Sequence, residues 1–192
     1  MTPLKLLLPS YVQMLERLSA WLGKAAHGLP DGEADALLSA KLAPDMFPLS
    51  TQVRFACVQA YEGVSRLLGH ELPAKVAELL EEGRNAGEAP GSMANAQARI
   101  TETVTMLNGV SESQLAAAEA SDPQRPLAHE LPNGMIFDLT AETYARDWAV
   151  PQFYFHVMTA YAILRSRGVE LGKADYVAHL LPHLRPGTAP TA

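Results

Sequence analysis

The chain has 192 residues, 48% hydrophobic and 19% charged, a balance that excludes a mostly disordered polymer and suits one domain with a sizeable core. Its 15 Lys and Arg against 21 Asp and Glu leave a formal charge of −6, which argues against a nucleic-acid surface, because phosphate contact needs clustered cations. A single cysteine, Cys57, can close no internal disulfide, so a reducing, cytoplasmic setting is expected.

Near the start, the apolar run Leu6 to Leu8 stops at Pro9 with no small-residue cleavage site after it, so no secretory leader is expected. No segment approaches the roughly 20 uninterrupted apolar residues of a membrane span. Tyr11, Met14, Leu15, Leu18, Trp21, Leu22 and Ala25 then recur at helical spacing, which predicts a first long helix starting at Pro9 and Ser10 and ending at Gly28. A short helix over 33–41 is stopped by Pro44, since the residue before a proline is pushed out of the helical region.

A second long helix starts near Pro48 and repeats Val53, Ala56, Cys57, Ala60, Val64 and Leu67 on one face before Gly69, with Gln52 and Gln59 flanking that face. The following stretch is mainly a connection with a brief helix over 75–82. Met93, Ala96, Ile100, Val104 and Leu107 predict a third long helix. Asn133-Gly134 between two short apolar runs predicts a β-hairpin with a two-residue turn, in which Leu131 faces Ile136 and His129 faces Asp138 as a surface pair. Thr140 is placed to cap a fourth long helix that runs to Arg167, kinked or divided at Pro151. Residues 1–180 are thus expected to form one all-α, four-helix-bundle domain carrying a small β-hairpin before the last long helix, and 181–192 a loose tail.

Bundles build ligand and metal sites from polar side chains of facing helices, so polar residues on apolar faces are the candidates. In "WAVPQFYFHVMTAYAILRSRGV", Gln152 and His156 are four apart and share a helix face with Thr159. Gln52 sits near the start of the second long helix. Gln52, Gln152, His156 and Thr159 are therefore the expected lining of a ligand pocket. The alternative is catalytic: His156 as a base held by Gln152 or Asp45, an imidazole being the side chain that titrates near neutral pH. Asp45 can also be read as a carboxylate that bonds the free amides at the helix start. Cys57 is expected buried and inert, and Phe153 and Phe155 are expected in the core. His179 and His183 have metal-ligand spacing, but Pro182 between them opposes the helix that would aim both at one ion.

The strings "LAPDMFPLSTQV" and "PQFYFHVMTAYAILRSRGVELGKADY", with the hairpin between them, resemble an uncharacterised bacterial family of the DinB/YfiT-like four-helix-bundle superfamily. The resemblance runs in order over nearly the whole chain. It implies that fold, a homodimer, and a site where the superfamily places nickel or zinc on three histidines, some members being transferases or isomerases that use low-molecular-weight thiols. Carried over by position, the last of those histidines matches His156, the one a turn earlier is Gln152, and the one on the second long helix is replaced, with Gln52 nearest. One imidazole with two amides is a poor transition-metal donor set. The expectation is a protein that binds an unknown small molecule through a polar network and has no cofactor, with His156 a metal ligand only if a metal is present. A transferase or hydrolase using His156 and Asp45 is the alternative.

Overall fold

The structure is a computed structural model that describes residues 2–30, 33–131 and 133–188. Part of the expected tail, residues 189–192, lies outside them.

α1 spans Pro3–Gly28, two turns longer at its start than the spacing from Tyr11 onward predicts. Leu4 and Leu7 extend the buried stripe of Tyr11, Leu15, Leu18 and Leu22, so the helix gains apolar burial by continuing through Pro9. Pro9 cannot give an N–H to the Lys5 carbonyl, but it lies on the exposed side, where a carbonyl left without that donor costs least. α2, Glu33–Ala36, runs into a 3₁₀ turn at Leu37–Ser39. α3, Leu49–Leu68, ends at Gly69, whose φ of +72° lets the His70 amide turn back to the Ser65 carbonyl.

α4, Ala74–Asn85, is longer than the brief helix predicted for this connection and packs on α3. Its seat is polar: Thr51 Oγ1 donates to the Gly83 carbonyl at 2.7 Å, and buried Arg54 donates to Glu82 at 3.1 Å and to Ser50 Oγ at 2.7 Å. α5, Met93–Asn108, is capped by Ser92, and α6, Glu112–Ala120, starts at a capping box formed by Ser111 and Gln114. α1 and α3 pack on each other, and each also packs on α5 and on α8 (Val150–Ser166, below). The core between them holds Trp21, Val53, Cys57, Ile100, Phe153 and Ile163. No helix among the described residues is long and apolar enough to cross a membrane.

The hairpin pairs β1, Pro126–Glu130, with β2, Ile136–Thr140. Its register differs by one residue from the predicted one: Ala128 faces Asp138, and His129 faces Phe137. A two-residue turn would have required Pro132 to donate in the pair that closes the loop, and proline has no N–H. Instead Leu131 donates to the Met135 carbonyl at 2.8 Å, the Gly134 amide donates to the Leu131 carbonyl at 2.9 Å, and Gly134 takes φ +83°. The slip moves His129 inward. It is 2% exposed, its ring 4.5 Å from Trp148 and 5.4 Å from Tyr144, and neither ring nitrogen has a hydrogen-bond partner among the described residues.

Thr140 caps α7, Ala141–Thr143, by accepting from the Thr143 amide at 3.1 Å. A π-helical turn at Tyr144–Ala149 follows, with the Val150 amide bonded to the Ala145 carbonyl, and leads directly into α8. Pro151 thus divides the segment as predicted: it gives no N–H to the Asp147 carbonyl, and the backbone widens just before it. After Gly168, α9, Lys173–Tyr176, returns to α1 through the Lys24–Asp175 ion pair at 2.6 Å and the Tyr176 ring, 6.4 Å from Trp21. Residues 178–183 form a 3₁₀ turn.

Candidate functional site

Gln52 lies in the first turn of α3 and His156 in the middle of α8, and helix packing brings them together. His156 Nδ1 is 2.9 Å from Gln52 Oε1, and both residues are buried. Gln52 Nε2 donates to the Phe47 carbonyl at 3.2 Å, in the loop that leads into α3. These two bonds settle the proton positions. A carbonyl only accepts, so the amide nitrogen faces Phe47 and Oε1 faces the imidazole; Oε1 also only accepts, so Nδ1 carries the hydrogen. Nε2 is left with a free lone pair.

The ring sits among aromatic side chains. Phe55 and Phe155 each meet it edge-on with centroids 5.4 Å away, and Phe47 meets Phe55 at 5.8 Å. Burial pushes the His156 pKa down from 6.5 to about 4, and no charged neighbour contributes to the shift. The imidazole is neutral at physiological pH. The residue remains 8% exposed, and Nε2 makes no hydrogen bond among the described residues.

The other expected residues are placed differently. Gln152 is half-buried and makes no side-chain hydrogen bond among the described residues, so the pair on the fourth long helix is not a bonded pair. Thr159 Oγ1 is spent on the Phe155 carbonyl at 2.6 Å, within its own helix. Asp45 is exposed and bonds neither His156 nor the first amides of α3, whose N-cap is Pro48. Cys57 is buried, and burial pushes its thiol up to about 12. Phe153 is in the core as expected, but Phe155 points outward with 56% exposure, because it is two residues from Phe153 and falls on the opposite side of the helix. A cleft of about 580 Å³ opens elsewhere, between the start of α1 and the π-helical turn, and is lined by Leu6, Leu7, Ala145 and Val150 among others; Gln52, Gln152, His156 and Thr159 do not line it. No group of three or more His, Cys, Asp or Glu side chains placed to hold a metal occurs among the described residues.

The domain-of-unknown-function family DUF1993 matches residues 5–177. The chain belongs to this family. A crystal structure of a DinB family member protein from Shewanella denitrificans is similar, with 33% sequence identity and a TM-score of 0.68 over 95% of this chain and 93% of that one. No curated protein matches. The DUF1993 chain is therefore a DinB-like helical bundle with a small antiparallel hairpin.

Sequence reasoning gave Phe55 no role in the site of this DUF1993 chain, because phenylalanine on an apolar helix reads as core. Its ring is held over Gly83 of α4: a Cβ built there would lie 2.8 Å from Phe55 Cδ1 and closer still to Cε1. Gly83→Ala is expected to turn Phe55 away from His156 at a cost of about 1 kcal/mol. Ring-current shifts of the His156 protons in an NMR spectrum would report it; unchanged shifts would show that Phe55 does not depend on Gly83.

Proposed function

We propose that this chain is a small-molecule binding protein in which the Gln52–His156 pair stands where related bundles place a metal centre. The observation that carries the reading is the direction of the Gln52 hydrogen bonds. Both ends of its amide are engaged, one by Phe47 and the other by the Nδ1 hydrogen, so the pair offers a metal Nε2 and at most the second lone pair of one amide oxygen. The nickel or zinc implied by the superfamily resemblance does not fit this donor set, since such ions take several imidazole, thiolate or carboxylate ligands. What the pair does offer is a neutral, oriented hydrogen-bond acceptor.

The catalytic alternative, a transferase or hydrolase with His156 as base, has less support. An imidazole whose pKa lies near 4 takes a proton weakly at neutral pH, and Asp45 does not orient it. The same proposal takes the working form as a cytoplasmic homodimer: the superfamily resemblance supports the pairing, and one buried thiol calls for no oxidising compartment. Native mass spectrometry of protein made without a histidine tag, with nickel or zinc added, is expected to show paired chains without stoichiometric metal. Metal bound one per chain and lost in His156→Ala would overturn the reading, and single chains would remove the dimer from it.

A further inference from the structure

The binding reading leaves open what kind of molecule the site takes, and the following rests on that reading. We propose that the His156 site takes an uncharged, single-ring aromatic molecule bearing one hydroxyl or amide N–H, which it donates to His156 Nε2 while its ring lies against Phe47 and Phe155.

The polarity follows from the fixed tautomer. Gln52 holds the hydrogen on Nδ1, so Nε2 can only accept, and a complementary ligand must donate. The apolar body follows from the surroundings. Phe55 and Phe155 each meet the imidazole edge-on with centroids 5.4 Å away, so a group bonded to His156 has phenyl rings beside it. Phe47 and Phe155 are 52% and 56% exposed, and Met158, one turn beyond Phe155, is 39% exposed, so large apolar side chains stand open to solvent around His156. A flat ring matches it in offset or edge-to-face contact.

The absence of charge follows from the bonding environment. No ion pair or charged hydrogen-bond partner reaches His156 among the described residues, its one side-chain bond being to the neutral Gln52 amide. A charged ligand would lose its water and gain no counter-ion. A metal-free imidazole acceptor in an uncharged aromatic collar is thus selective in two ways, for a donor and against an ion.

Three probes of similar size separate the parts of this claim: 4-methylphenol, toluene and benzylammonium, each titrated into the full chain labelled with ¹⁵N at histidine. 4-Methylphenol is expected to move the His156 Nε2 resonance and to bind roughly tenfold more tightly than toluene, the difference one neutral hydrogen bond supplies. In His156→Phe that preference should fall to about onefold while toluene still binds; Phe155→Ala should weaken both. Toluene binding as well as 4-methylphenol, or benzylammonium binding best, with His156 shifted in either case, overturns the ligand class and leaves the site standing. If no probe moves His156 up to its solubility limit, the binding reading itself fails.

Discussion

Between pH 7 and pH 4 the protein is expected to lose roughly 6 kcal/mol of stability through two histidines, His129 and His156, about half of it from each. Burial holds both rings at a pKa of about 4, against 6.5 for a free imidazole, and the Arg66 charge adds to the depression at His129. Below pH 6.5 the unfolded chain takes up protons that the folded chain refuses, so stability falls as pH drops through that window and levels off below pH 4. By pH 5 each ring should already have removed about 2 kcal/mol, before most carboxylates titrate.

Other groups modify the lower end of the profile. Glu62 runs in the opposite sense, since burial raises its carboxyl and the folded state then gains on acidification. Asp175, held down by its hydrogen bond from Lys24, adds a loss only at the acid end. Urea unfolding at pH 7, 6 and 5 gives the slope directly. His129→Phe should halve it and, by deleting two unpaired ring nitrogens, should not weaken the protein at pH 7. An uptake of only about one proton on unfolding between pH 6 and 5 would show that one ring is solvated in the folded state, and less than half a proton that both are.

His129 also shows where sequence reasoning stops. Alternation and an Asn-Gly pair indicate a hairpin, but the register depends on which residue closes the loop. One step of slip exchanges the two faces of a strand. The proline before Asn-Gly was the available signal, since it cannot donate in the closing pair. The four long helices were legible because each carries an apolar stripe at a spacing of three and four. The start of α1 was not, because the cost of a proline inside a helix depends on whether its side of the helix faces water, and Pro9 faces water. α6 left almost no periodic signal: none of its residues is fully buried.

The site was half legible. Gln52 and His156 are both polar residues beside apolar stripes, and such residues must find partners once buried. Spacing along one helix nominates Gln152 as the partner of His156, because only neighbours on the same element are visible in a sequence. The partner the structure supplies is 104 positions away, placed by the packing of α3 on α8 and by the Phe47 carbonyl in the loop before α3. The aromatic collar was hidden for the same reason, since Phe47, Phe55 and Phe155 come from three separate places in the chain.

The Gln52–His156 bond should appear as a coupling energy that neither residue shows alone. Gln52→Leu leaves the Nδ1 hydrogen of His156 buried without a partner, and His156→Leu leaves Gln52 Oε1 in the same condition. Each single change is expected to cost about 1–3 kcal/mol, the penalty for one abandoned buried polar group. In the double variant both unpaired groups are gone and two apolar side chains meet, so its stability should lie within about 1 kcal/mol of wild type. The cycle would then return a coupling close to the sum of the two single losses, about 2–6 kcal/mol, to be measured by urea unfolding at pH 7, where both histidines are neutral. Histidine ¹⁵N shifts add a second readout. Wild type should show hydrogen on Nδ1 alone, and Gln52→Leu should let it redistribute to Nε2, since the acceptor that held it has gone. Additive losses, or a tautomer that ignores Gln52, would mean that the bond does not orient His156, and the acceptor at Nε2 would then have no structural cause.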